Sequence, residues 1–96
     1  MLRLMIVDDE QIIREALSSM IDYTSLGYEV IATAKNGMEA YDRIRDDYPD
    51  VVITDIKMPF MDGLTLARLA KKEIPGLKVV ILSGYDDFNY AKQAIG

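Results

Sequence analysis

Three aspartates and a serine stand at the ends of apolar segments in this sequence, and these residue types could bind a cation and take up a phosphoryl group. Asp8 and Asp9 directly follow an apolar run, and Asp55 and Ser83 each follow a further one. Magnesium prefers oxygen ligands, takes one or two carboxylates and completes its shell with water and phosphate oxygens. A carboxylate can also attack phosphorus when a metal and nearby donors offset the charge on the phosphoryl oxygens.

Their positions suggest separate roles. Asp8 and Asp9 form a pair suited to holding the ion, whereas Asp55 stands alone and suits the role of nucleophile. Taken singly, acidic residues before a helix usually cap it, a lone aspartate usually forms a turn, Ser83 bonds locally and Lys57 is a solvated charge. Their combination favours a metal and phosphoryl site, and protonation of one carboxyl is the alternative way to relieve the repulsion.

Strand-like and helix-like segments alternate along the chain. Strands are predicted at residues 2–7, 29–34, 51–53 and 79–82, and helices at residues 10–21, 38–45, 64–70 and 88–95. Each helix must return the chain to start the next strand in the same direction, which predicts the α/β class with a parallel sheet covered on both faces. Ligands bind beyond the carboxyl ends of such strands, where all four candidate site residues are expected.

The first predicted helix carries an apolar face and an acidic start. Its apolar residues recur at helical spacing: Ile12, Ile13, Ala16, Leu17, Met20 and Ile21. Asp8 and Asp9 precede the helix and are predicted to cap its first turn.

Composition narrows the class of protein. The 96 residues, of which 50% are hydrophobic, fit one domain. The net charge of −5 without a basic cluster argues against direct nucleic-acid binding. No cysteine or histidine is present, which excludes disulfides, thiolate metal sites and histidine-dependent triads. The apolar segment after Met1 is too short for a signal peptide or a membrane span, so a cytoplasmic protein without membrane association is expected.

The motifs resemble those of the receiver domain of bacterial response regulators, from Leu2 to Gly96. The resemblance is carried by Asp8 and Asp9 after the first strand, by the run from Asp55 to Gly63 (Asp-Ile-Lys-Met-Pro-Phe-Met-Asp-Gly), and by Ser83 after the fourth strand. The segments 23–28 and 83–91 are similar to those of receivers that precede an AraC-type DNA-binding domain. The family implies a flavodoxin-like, doubly wound parallel sheet.

The resemblance also implies the roles of individual residues. Asp8, Asp9 and Asp55 would bind Mg²⁺ together with the backbone carbonyl of Lys57, and Asp55 would accept phosphate from a sensor histidine kinase. Ser83 would be the switch hydroxyl that bonds a phosphoryl oxygen. The domain is expected to form a homodimer and to control an output domain, through which the parent protein would contact DNA.

The sequence departs from the family after its fourth helix. The family continues into a fifth strand, which carries a lysine that pairs with the phosphoryl group, and a fifth helix. Residues 1–96 therefore predict a receiver domain incomplete at its C-terminus, with strand order 2-1-3-4, an uncovered sheet face and weakened phosphoryl transfer. Lys78 and Lys92 are not placed to substitute for the missing lysine.

Two other functions remain open at this point. An enzyme that turns over small phosphate esters would use Asp55 as its nucleophile, but such enzymes usually carry an aspartate two residues later, where this chain has Lys57. A degenerate domain that binds partners without phosphate is the second alternative. Lys57 argues against turnover, and the joint presence of Asp8, Asp9, Asp55 and Ser83 argues against a degenerate domain. A dinucleotide site is not expected, because no glycine-rich turn follows the first strand.

Overall fold

The computed structural model describes residues 1–82. Its elements are β1 Leu2–Val7, α1 Gln11–Ser19, β2 Tyr28–Ala34, α2 Gly37–Asp47, β3 Val51–Asp55, α3 Gly63–Glu73 and β4 Lys78–Leu82, with a short 3-10 turn at Thr24–Leu26. Ser83, Lys92 and the helix predicted at residues 88–95 lie outside the described residues. Within residues 1–82, no helix is long and apolar enough to cross a membrane.

The four strands form one parallel sheet in the order β2-β1-β3-β4. This confirms the predicted α/β class and the strand order 2-1-3-4. The chain leaves β1 toward β2 on one side and returns to β3 on the other, so the connections diverge at the two central strands. In a doubly wound sheet, that divergence opens a crevice at the carboxyl ends of the strands.

Alternating side chains of β1 supply the two faces of the sheet, as a strand period of two requires. Met5 and Val7 belong to the core beneath α2 and α3. Leu4 and Ile6 point to the other face, where Leu17 of α1 packs against them. Every one of these β1 residues is almost fully buried, which is why the strand reads as a continuous apolar run.

The second face of the sheet is only partly covered by the described residues. A shallow apolar groove of about 150 Å³ runs along it, lined by Leu4, Tyr23, Leu26, Tyr28, Val51, Ile53 and Val80. Val80 on β4 is exposed, and β4 pairs with β3 alone in the described part of the chain.

Helix α1 differs from its prediction in length and packing. It spans Gln11–Ser19, and two residues of its apolar pattern, Ile12 and Met20, are 79% and 82% exposed and do not pack on the sheet. Ile12 lies about 140° around the helix from Leu17, which makes the sheet contact. Met20 stands at the C-cap, where the helix has already ended. The C-terminal part of the helix is also held by the Tyr23 hydroxyl, which donates to the Leu17 carbonyl at 2.6 Å.

Candidate acidic site at the carboxyl edge of the sheet

The register of the two central strands brings the predicted acidic residues together. Val7 of β1 is paired with Thr54 of β3, so the residues that follow them, Asp8 and Asp55, lie side by side at the carboxyl edge of the sheet. One carboxylate oxygen from each of Asp8, Asp9 and Asp55 lies within 4.8 Å of the other two. The predicted cluster of three carboxylates therefore exists, whereas Ser83 lies outside the described residues.

Asp8 is the buried member of the cluster, with only 5% of its surface exposed. Its backbone N–H donates to the Ala34 carbonyl at 3.1 Å, which extends the sheet by one bond. Its Oδ1 accepts from the Glu10 N–H at 2.9 Å, and its carbonyl accepts from Arg14 Nη1 at 2.8 Å. The bonds to Ala34 and Arg14 hold the Asp8 backbone, and the bond from Glu10 orients its carboxylate.

The predicted helix cap at this position was wrong in its details. Glu10 is the N-cap of α1 and makes no side-chain capping bond. The Asp8 carboxylate is engaged by the N–H of Glu10 itself, one residue before the helix starts. The bond closes a turn over residues 8–10. It therefore orients the Asp8 carboxylate and does not cap the start of α1.

The environment of Asp8 disfavours its charge. Burial raises the pKa of the Asp8 carboxyl above its ordinary value of 3.8, and the adjacent Asp9 charge raises the pKa further. The Glu10 N–H and the Arg14 guanidinium oppose this rise, but the net direction is upward. A divalent cation among the three carboxylates would relieve the same cost.

Asp55 is half-buried and held from its backbone. Its Oδ1 accepts from the Ile56 N–H at 2.9 Å. The buried Thr54 hydroxyl donates to the Asp55 carbonyl at 2.9 Å. On its other side the Asp55 carbonyl faces Gly63, where an added Cβ would lie 2.0 Å from the oxygen. A residue larger than glycine does not fit there.

The loop between Asp55 and α3 is folded tightly back on the site. Gly63 N–H donates to the Ile56 carbonyl at 2.7 Å, and Ile56 itself is fully buried. Asp62 caps α3 by accepting from the Thr65 N–H at 2.7 Å. Lys57 lies in this loop with an exposed side chain, two residues beyond Asp55. Its backbone carbonyl is the predicted fourth oxygen ligand.

Several features of the site were missed from the sequence. Arg14 binds the Asp8 carbonyl, although nothing in its spacing distinguishes it from a solvated helix residue. Phe60 has a φ of 71° and is 86% exposed, a backbone region that bulky residues rarely adopt. The close approach of Gly37 to the Met61 backbone is a further such feature, for which glycine at a helix start is the available signal.

The donor set fits a hard divalent cation. The cluster presents oxygen atoms only, and Mg²⁺ selects oxygen over nitrogen and sulfur ligands. One carboxylate is buried, one half-buried and one exposed, so the cluster combines a fixed anchor with an open side for water or a phosphoryl group. Calcium would also accept these ligands but prefers more of them than three carboxylates supply.

Comparison with known proteins agrees with this geometry. Residues 4–96 match the family model described as the response regulator receiver domain. Over 95 residues the chain is 42% identical to the uncharacterized transcriptional regulatory protein YesN of Bacillus subtilis strain 168, covering 99% of this chain and 26% of YesN. The chain thus spans about a quarter of that relative's length.

Two solved structures are similar over 98% of this chain and 73% of their own. One is the REC domain of AraT, a response regulator from Geobacillus stearothermophilus, with a TM-score of 0.90 and 40% identity. The other is described as the two component transcriptional regulator AraC from Clostridium phytofermentans, with a TM-score of 0.90 and 37% identity. These similarities confirm the flavodoxin-like fold.

Replacing Asp8 by asparagine is expected to stabilise the metal-free protein at neutral pH. The amide oxygen can still accept from the Glu10 N–H, while the charge that burial and Asp9 disfavour is removed. Because the folded-state pKa is raised, the wild-type carboxyl contributes full stability below 3.8 and loses it as the pH rises through the folded pKa. The advantage of the variant should therefore appear at about pH 7 and vanish below pH 3.8.

Urea unfolding midpoints at the two pH values measure this difference. Asp46→Asn, which neutralises an exposed acid on α2, serves as the control and should show a smaller effect. An Asp8→Asn protein that is less stable than wild type at neutral pH would contradict the electrostatic account of the site.

Replacing Gly63 by alanine is expected to destabilise the fold by about 3 kcal/mol or more, because the new Cβ would overlap the Asp55 carbonyl. Gly76→Ala is the matched control, since nothing lies within 4 Å of a Cβ built there. Chemical denaturation gives both free energies of unfolding. Equal values for the two variants would show that the loop tolerates the added methyl group.

Proposed function

We propose that this chain, which belongs to the response regulator receiver domain family, accepts a phosphoryl group on Asp55 from a sensor histidine kinase. Asp8, Asp9, Asp55 and the backbone carbonyl of Lys57 would hold Mg²⁺ for this step. The observation that supports the proposal most strongly is the convergence of three carboxylates within 4.8 Å at the ends of two neighbouring central strands. Receiver domains are signalling modules, and we place this chain among them.

In the proposed step an Asp55 carboxylate oxygen attacks the phosphorus of a phosphohistidine. The new P–O bond forms as the P–N bond breaks, and the electron pair of that bond leaves with the imidazole of the donor. Bound Mg²⁺ supplies charge neutralisation at the phosphoryl oxygens. The chain contributes position: the Ile56 N–H holds one Asp55 oxygen, and Thr54 and Gly63 fix the Asp55 backbone from both sides.

Asp8 and Asp9 would have different duties within the same site. The Asp8 carboxylate is buried and bonded to the Glu10 N–H, so it is preorganised as the inner ligand. Asp9 is exposed and can reorient to meet an incoming ion. Ser83, which follows β4, is proposed as the switch hydroxyl that donates to a phosphoryl oxygen and reports the phosphorylated state to other surfaces.

The output of the signal is proposed to be transcriptional. The chain covers 26% of YesN, described as a transcriptional regulatory protein, and 98% of the chain aligns with a Clostridium protein described as a transcriptional regulator AraC. A DNA-binding output domain of the AraC type in a cytoplasmic, homodimeric parent protein is therefore proposed. The net charge of −5 on this segment argues that DNA contacts belong to that other domain.

Turnover of small phosphate esters is the weaker alternative. Such an enzyme needs a general acid to protonate its leaving group, and Lys57 stands two residues beyond Asp55 with its side chain exposed. A phosphohistidine needs no general acid from this chain, because the ring nitrogen that does not carry the phosphorus can be protonated from solvent. The imidazole then leaves readily. The donor set therefore suits phosphoryl uptake better than repeated ester hydrolysis.

Incubation with acetyl phosphate and Mg²⁺ tests the proposal directly. Intact-protein mass spectrometry should show one added phosphoryl group that hydroxylamine removes, and Asp55→Asn should show none, because its amide is not a nucleophile. Asp46→Asn removes a distant carboxylate and should be labelled like wild type. Label that persists in Asp55→Asn, or wild-type label that forms equally well in EDTA, would contradict the proposal.

A further inference from the structure

Helix α2 closely approaches the loop of the acidic site at its first residue. The helix begins at Gly37, which is buried. A Cβ built on Gly37 would lie 2.2 Å from the Met61 carbonyl oxygen, 2.7 Å from the Met61 Cβ and 2.9 Å from its carbonyl carbon. Real Cβ atoms do not approach backbone this closely, so the contact exists only because residue 37 is glycine.

Met61 belongs to the segment that joins Asp55 to α3. Its N–H donates to the Pro59 carbonyl at 2.8 Å, which closes a tight turn around Phe60. The side chains of Met58 and Met61 pack against the core beneath α2 and α3. The two methionines anchor the inner side of the loop, and Gly37 supports its backbone next to them.

The supporting helix is itself firmly placed. The Asn36 side chain caps α2 by accepting from the Glu39 N–H at 2.8 Å. Ala40 and Ile44, one and two turns further on, are fully buried in the core. Gly37 therefore presents a fixed surface, and any added volume there must be accommodated by movement of the loop.

We infer that Gly37 is a positioning residue for the cation site, because its bare backbone sets the height of the loop that carries Met61 and Lys57. The inference rests on the proposed function, in which the Lys57 carbonyl is a ligand of Mg²⁺. A methyl group at position 37 pushes Met61 away from α2, and the push is transmitted along four residues to Lys57. Asp8 and Asp9 follow β1 and do not belong to this loop, so the methyl group does not move their carboxylates.

The same contact couples the ion to the helix in both directions. If α2 sets the geometry of the loop for Mg²⁺, then bound Mg²⁺ stabilises the arrangement of the loop against α2, since coupling between two sites is reciprocal. The first turn of α2, at Met38, Glu39 and Ala40, should therefore open less often when Mg²⁺ is bound. The far end of the helix at Asp46 and Asp47 should not respond.

Isothermal titration calorimetry of Mg²⁺ binding to Gly37→Ala tests the inference. We expect an affinity about tenfold weaker than wild type, the size of effect seen when groups behind metal ligands are altered. Two controls separate contact from stability. Gly76→Ala adds a methyl group where nothing lies within 4 Å, and Asn36→Ala removes the cap of the same helix without adding an atom near Met61. Both should bind Mg²⁺ like wild type.

Wild-type affinity in Gly37→Ala would overturn the inference, and so would an equal loss in Asn36→Ala, which would trace the effect to helix stability. Failure of the wild-type chain to bind Mg²⁺ would instead refute the proposed function. Hydrogen exchange of the unsubstituted chain provides the second measurement if Gly37→Ala does not fold. Saturating Mg²⁺ should slow exchange at residues 38–40 and leave residues 46–47 unchanged, and unchanged rates at residues 38–40 would overturn the inference.

Discussion

Repulsion among three carboxylates is the constraint around which this structure is arranged. At separations within 4.8 Å, each pair of charges repels by on the order of 3 kcal/mol at an effective dielectric constant near 20, before solvent screens the exposed Asp9. The hydrogen bond that Asp8 accepts from Glu10 contributes about 1 kcal/mol, and Arg14 bonds the Asp8 carbonyl and not its carboxylate. A divalent cation placed among the three carboxylates would oppose this repulsion directly.

The fold brings the three carboxylates together mainly through backbone contacts around the site. The pairing of Val7 with Thr54 aligns the carboxyl ends of the two central strands, so that Asp8 and Asp55 lie next to each other. Gly63 lets α3 start directly against the Asp55 carbonyl, and Gly37 lets α2 start against Met61. Both helices thus begin at the edge of the site, at a glycine. The missing Cβ of each glycine lets its backbone pack directly against the loop or strand beside it. The result is a tightly folded loop whose exposed residues are Lys57, Pro59 and Phe60.

Much of this arrangement follows from the sequence because it depends on periodicity. Apolar runs that end in aspartate predict buried strands with acids at one edge, and the alternation of elements predicts the parallel sheet. Two kinds of feature escape such reasoning. The exposure of Ile12 depends on which side of α1 meets the sheet, and the contact between Gly37 and Met61 joins residues distant in sequence. Both are tertiary properties with no local signature, and the roles of Asp55, Lys57 and Ser83 remain predictions.

A second acidic group, at the opposite edge of the sheet, provides the internal comparison. Asp42, Asp46 and Glu73 line a polar pocket with Arg45, whose Nε lies 4.0 Å from Glu73 Oε1, so that group carries its own cation. Titration with Mn²⁺, followed by paramagnetic broadening of backbone amide resonances, compares the two directly. Broadening is predicted to begin at Asp8, Asp9, Asp55 and Lys57. Broadening that begins at Asp42, Asp46 and Glu73 would contradict the assignment of the carboxyl edge as the cation site.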